Sequence, residues 1–229
     1  MVQINDVRKI LNQFIEDLVE KYGFKERKYG QGGGIIKSTE AVTEFVGWGM
    51  LKAGSAQHQF MGFTAYNCHN QVHEITKPIL RKYKLTGGTN KDLIITFRPK
   101  EGLPMSQNEN IIFSDLTQLN SLKDVYRDFF VYKAIPYFEK WNSVNKVYEV
   151  IKDIEEDGEM GLGQFPHYEK AVIMRLCNDK NYKSYFYEYY KSKEMYHLND
   201  PTNEDCLAYL NAAREMLDQL DEIKPIYNL

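Results

Sequence analysis

Val42-Thr43-Glu44-Phe45-Val46-Gly47-Trp48-Gly49-Met50-Leu51-Lys52 and His58-Gln59-Phe60-Met61-Gly62-Phe63-Thr64-Ala65-Tyr66-Asn67 are two runs dominated by aromatic and β-branched residues. Ala53-Gly54-Ser55-Ala56 lies between them. Strand-forming runs on either side of a short small-residue turn predict a β-hairpin. Gly47, Gly49 and Gly62 interrupt the runs. Glycine inside a strand marks a bulge, or a place where another backbone or a ligand comes close. Trp48 and Tyr66 are therefore the candidate lining of a ligand pocket.

Upstream of the hairpin, Val7, Ile10, Leu11, Phe14, Ile15, Leu18, Val19 and Tyr22 recur at helical spacing and predict one amphipathic helix. Asn5 or Asp6 caps its start, and Gly23 followed by Phe24 marks its end. Ile35-Ile36 adds a further strand. Downstream, residues 70–85 predict a helix with Pro78 inside it, and Leu93–Phe97 and Ile111–Phe113 predict two more strands. From Leu116 onward the periodicity is helical, with Pro136, Pro166 and Asp200-Pro201 as punctuation. The expected fold is α+β: an N-terminal helix packed on a mostly antiparallel sheet, then an all-helical C-terminal part. The three glycines and one proline of residues 157–166 suggest a boundary, with 1–157 as an α+β domain and 158–229 as a helical extension.

The chain has 229 residues and a formal net charge of −3. No apolar run approaches the roughly 18 residues that span a bilayer. Three cysteines, an odd number, argue against a disulfide framework. The N-terminus lacks a basic segment followed by an apolar one, so a cytoplasmic protein is the expectation. Near-neutral charge argues against a dedicated nucleic-acid binder, which needs a basic surface. Residues 1–115 carry 15 basic and 12 acidic side chains, net +3, and residues 116–229 carry 14 and 20, net −6.

Four local patterns invite a chemical reading. Gly30-Gln31-Gly32-Gly33-Gly34-Ile35-Ile36-Lys37 fails as a phosphate loop, because Ile36 stands where glycine must precede the lysine and a strand follows where a helix is needed. Cys68, His69 and His73 form the one local set of soft metal ligands, with the two histidines on one face if both lie on a helix. Asp153-Ile154-Glu155-Glu156-Asp157-Gly158 matches half a calcium loop, but Gln164 stands where the bidentate glutamate belongs. Lys21, Lys25, Arg27 and Lys28, with Lys77, Arg81, Lys82 and Lys84, make one basic patch only if two helix ends meet. The stripe Tyr182, Tyr185, Phe186, Tyr189, Tyr190 reads as helix packing. No catalytic motif is present, and no cofactor is expected.

Lys21-Tyr22-Gly23-Phe24-Lys25, the glycine-rich basic stretch to Lys37, the aromatic strands and Tyr137-Phe138-Glu139-Lys140-Trp141 resemble the small bacterial α+β proteins of the polymorphic-toxin immunity type, over residues 5–155. The resemblance carries over no functional residue. It implies a protein-binding module that neutralises a partner by covering its site with a sheet face or an acidic helical surface. The alternative is an enzyme or small-ligand binder with its pocket at the glycine-bearing strands. Nucleic-acid binding is a third reading, dependent on the basic patch being continuous.

Overall fold

The computed structural model describes residues 2–86, 97–106, 111–155 and 159–228. The chain forms two compact units, each assembled from separate stretches. The first comprises Met1–Thr39, Thr43–Asn67 and Glu101–Lys140; the second comprises Glu40–Val42, Cys68–Lys100 and Trp141–Leu229. The sequence-read boundary at 157/158 lies outside the described residues, as do Leu93 to Thr96 of one expected strand and the last three residues of the calcium-like loop.

In the first unit the predicted helix is broken in two, α1 (Ile4–Phe14) and α2 (Glu16–Tyr22). Ile15 leaves the helical region, with φ −127°, and its N–H turns to the Asn12 carbonyl. The apolar stripe survives the break: Val7, Leu11, Phe14, Ile15 and Leu18 are all buried. Gly23 ends α2 in the left-handed region, φ 73°, and the Phe24 N–H reaches back to the Val19 carbonyl. That closure favours glycine because a Cβ there is strained.

Five strands follow in antiparallel order: β1 (Lys25–Tyr29), β2 (Gly32–Ser38), β3 (Val42–Lys52), β4 (His58–His69) and β5 (Ile111–Phe113). The hairpin is β3–β4, and the fold is α+β. Strand β1 is the element that periodicity misses. It is an edge strand of sequence Lys-Glu-Arg-Lys-Tyr, largely exposed, and charge on an edge strand deters pairing with other chains.

Helices α4 (Leu122–Phe129) and α5 (Ile135–Lys140) complete this unit, joined by a wide turn over Phe130–Ala134. In that turn the Ile135 N–H bonds the Phe130 carbonyl, five residues back. Pro136 follows at once, and it has no N–H to continue an ordinary helical ladder. The core is aromatic. Phe63 stacks on Tyr126 with centroids 4.0 Å apart and planes 10° apart, and meets Phe60 at 4.9 Å.

Tyr126 is fully buried, and its hydroxyl has no hydrogen-bond partner among the described residues. Burial raises its phenol above the ordinary range, so the hydroxyl stays neutral. An unpaired buried hydroxyl costs about 1–3 kcal/mol. Tyr126→Phe keeps the ring and removes that cost, so the variant is expected to be about 1 kcal/mol more stable in urea denaturation. A destabilised variant would mean that the hydroxyl is paired.

In the second unit, α3 (Asn70–Lys82), α6 (Val144–Ile151), α7 (Pro166–Leu176), α8 (Tyr182–Asn199) and α9 (Glu204–Gln219) pack together. Helix α7 is central, with every residue from Tyr168 to Met174 buried. Phe186 of α8 is fully buried against Tyr168, while Tyr187 and Tyr196 stand off the stripe and are exposed. The stripe is packing. Lys170 is buried with its ammonium on the Ile154 carbonyl at 2.6 Å and the Lys152 carbonyl at 3.3 Å, a cation at the C-terminal end of α6. No helix among the described residues is long and apolar enough to cross a membrane.

Candidate functional site

Alternate residues of a strand share a face, so the pairing register sorts the first unit's sheet into two. Gly33 pairs with Trp48 and Ile35 with Val46, and these face the helices. Gly32 pairs with Gly49, Gly34 with Gly47 and Ile36 with Phe45, and these face the other way. Lys25, Arg27 and Tyr29 of β1 join that outer face through their partners Ile36, Gly34 and Gly32. On β4 the count is shifted by a bulge at Gly62, φ 82°. Phe60 and Phe63 are both buried and in contact, which puts Gln59 and Met61 before the bulge, and Thr64 and Tyr66 after it, on the outer face. The Phe45 and Tyr66 rings meet there at 4.9 Å. Ile112 pairs with Gln59, and Met105 bridges to Thr64.

Tyr29, Leu51, Met61, Met105 and Ile112 are therefore side chains of one sheet face, each between 40% and 54% exposed. The glycines make the face flat. A Cβ on Gly32 would lie 3.0 Å from the Tyr29 ring, and one on Gly47 would lie 2.3 Å from the Phe45 ring and 2.8 Å from the Tyr29 hydroxyl. Both rings lie flush on the backbone because those positions lack side chains. Tyr29 is pinned by a 2.7 Å hydrogen bond from its hydroxyl to the Trp48 carbonyl. The hydroxyl end is covered although the ring edge is exposed, and loss of water pushes the phenol up to about 12, so it remains a donor at neutral pH. Above Gly49 a Cβ would meet nothing within 4 Å. The middle of the patch is open.

The residues singled out from sequence are placed differently. Trp48 is buried on the inner face, its ring 2.9 Å from where a Gly33 Cβ would sit, whereas Tyr66 is on the outer face. The two point to opposite sides of the sheet and share no pocket. The strand glycines admit the protein's own aromatic rings.

Cys68, His69 and His73 do not form a ligand set. His69 precedes α3 with extended backbone, so the helical i, i+4 face assumed for the histidines does not exist, and Cys68 as its strand neighbour points away from it. His69 Nε2 lies 3.0 Å from the Trp141 carbonyl, which only accepts, so that nitrogen carries the proton. Burial pushes the imidazole down to about 4. Among the described residues no three His, Cys, Asp or Glu side chains converge to hold a metal.

The basic residues divide between the units. Lys21, Lys25, Arg27 and Lys28 belong to the first, and Lys77, Arg81, Lys82 and Lys84 to the second. Within the first, Lys25 and Arg27 lie on the outer face and Lys28 on the inner. In the second, Lys82 is paired with Glu215.

Concavities are also present among the described residues. A groove of about 370 Å³ lies between α1–α2 and β1–β2, walled by Arg8, Lys9, Asn12, Gln13, Glu26 and Lys28. Arg8 is committed to structure there, donating to the Gly30 and Gly32 carbonyls at 2.9 Å each. In the second unit a hollow of about 230 Å³ is lined by Phe165, His167, Tyr189, Lys193 and Tyr209. No family model, curated protein or solved structure matches the chain.

Proposed function

We propose that this chain is a protein-binding module that docks through the outer face of its sheet, and that it acts by occlusion, as an immunity protein covers a toxin. The supporting observation is the flat face on which five apolar side chains stand exposed around an open glycine. Contiguous exposed apolar surface marks interaction sites, and the adaptable methionines Met61 and Met105 are of the type used to fit a partner. A cytoplasmic setting belongs to the same proposal, as does the absence of a nucleic-acid role. The test is a photo-crosslinking residue in place of Met61, which is 40% exposed on the same face, introduced into the protein in its native cells. One partner should be captured at position 61 in a stoichiometric complex, the same probe at exposed Leu198 should not capture it, and Gly49→Gln should abolish the complex. A Gly49→Gln chain that retains its partner would remove this face from the function.

The second reading, a small polar ligand in the groove beside Arg8, is favoured by the amide and cationic side chains on its helical wall. It predicts an affinity that depends on Asn12 and Gln13 and is indifferent to position 49.

A further inference from the structure

We infer, resting on the docking face above, that the partner is a protein whose own apolar patch is bordered by carboxylates. Among the described strand residues of the outer face the charged side chains are of one sign. Its strand residues are Lys25, Arg27 and Tyr29 on β1, Gly32, Gly34, Ile36 and Ser38 on β2, and Thr43, Phe45, Gly47, Gly49 and Leu51 on β3. The β4 and β5 strands add Gln59, Met61, Thr64, Tyr66 and Ile112. Two of these side chains are charged, and both are cations. Beside the same patch the Lys133 ammonium sits 3.1 Å from the Met105 carbonyl. Two nearby carboxylates among the described residues have partners of their own. Glu101, in the loop leading to Met105, is paired with Lys140 at 2.9 Å, and Asp115, just past β5, accepts from the Thr117 N–H at 2.7 Å.

An apolar centre with a cationic border selects against partners by sign. A second copy of this chain would bring the same cations against one another, and like charges across an interface cost affinity. An acidic border would be steered in by the positive charge of Lys25, Arg27 and Lys133, with exposed Lys25 at the rim. A lipid surface would also meet the cations, but membrane-seated faces push aromatic rings outward into the headgroups. Here the exposed Tyr29 ring is laid flat on glycine and held by its bond to the Trp48 carbonyl, and a flat, rigid surface matches another folded surface.

The full-length chain can be tested with defined probes: a synthetic β-hairpin with aliphatic side chains on one face bordered by Glu, its counterpart bordered by Lys, and vesicles of mixed phosphatidylserine and phosphatidylcholine. The Glu-bordered hairpin is expected to bind about tenfold tighter than the Lys-bordered one in low salt, with the gap closing as ionic strength shortens the screening length. Lys25→Glu combined with Arg27→Glu should erase or invert the preference, and exposed Lys25→Glu alone should reduce it if the double variant misfolds. Gly49→Gln should abolish binding of both hairpins. Equal binding of the two hairpins, both lost in Gly49→Gln, overturns the acidic-partner inference and leaves the docking face standing. Binding unchanged in Gly49→Gln, or no binding of either hairpin, overturns both. Vesicle binding that depends on position 49 more strongly than hairpin binding does makes the occupant a membrane and overturns the inference.

Discussion

Between pH 4.5 and pH 9, Glu169→Gln is expected to gain on the wild-type chain by on the order of 4 kcal/mol in unfolding free energy. Glu169 lies in the first turn of α7 and is only 4% exposed. Its Oε2 accepts one hydrogen bond, from the Gly163 N–H at 2.7 Å. That bond and the helix N-terminus favour the carboxylate, but burial opposes it more strongly and pushes the carboxyl from 4.5 up to about 8. Lys170, the next residue, gives no relief, because its ammonium is turned to the end of α6. The folded chain therefore keeps a proton that the unfolded chain releases above pH 4.5. Stability from this site is complete below pH 4.5 and is lost as pH rises through about 8. Glutamine retains an oxygen for the Gly163 N–H and has no proton to lose.

Urea midpoints of the two chains at pH 5, 7 and 9 measure the difference directly. The comparison with Gln matters because other groups titrate on the flanks. Buried His69, pushed down to about 4, stabilises fully above pH 6.5 and loses that contribution as pH falls toward 4. Cys177, whose thiol burial pushes up to about 12, acts only above pH 9. Parallel pH profiles for the two chains would mean that water reaches Glu169.

Much of the fold was legible because burial follows period. The α1–α2 stripe and the β3–β4 hairpin each repeat at the spacing of the element they form and bury the face that repeat defines, and the tyrosine stripe of α8 follows its period with Phe186 buried and its tyrosines half-buried. What stayed hidden has physical causes too. Strand β1 is an edge with neither face fully buried, so its charged residues carry no alternation. Strand β2 opens on three glycines that read as a loop, because their role is to admit rings from other strands. The exposed apolar face was illegible for a different reason. Tyr29, Leu51, Met61, Met105 and Ile112 come from four strands and a loop, and simple alternation along β4 would group Phe63 with Gln59 and Met61. Only the bulge at Gly62 separates the core residue from the surface ones. Charge asymmetry between the halves pointed to the acidic C-terminal helices, whereas the two charged strand side chains described on the outer sheet face, Lys25 and Arg27, are cations.

Two glycines of the outer face should respond oppositely to a side chain. Gly34→Ala is expected to cost about 3 kcal/mol or more, at or beyond the upper end of ordinary overpacking. Its Cβ would lie 2.1 Å from the Val46 carbonyl oxygen, 2.9 Å from the Gly47 Cα and 3.1 Å from the Phe45 ring. Two of those neighbours are main chain of β3, which pairs with β2 from Gly32 to Ser38, so neither can retreat without opening the ladder. Phe45 is 2% exposed and has no room to swing clear. A loss of that size lowers Tm by about 6–12 °C in a chain of this length. Gly49, paired with Gly32 on the same face, meets nothing within 4 Å of its Cβ position, and Gly49→Gln should stay within about 0.5 kcal/mol of wild type. Thermal melts of the two variants separate the roles. A stable Gly34→Ala chain would mean that the rings are not held flush by the missing side chain, and a destabilised Gly49→Gln chain would mean that the face is already covered. With Gly34 strict and Gly49 permissive, one side of the sheet is closed by the protein's own rings at its centre and left open where β3 and β4 approach their turn, which is where the proposed partner would sit.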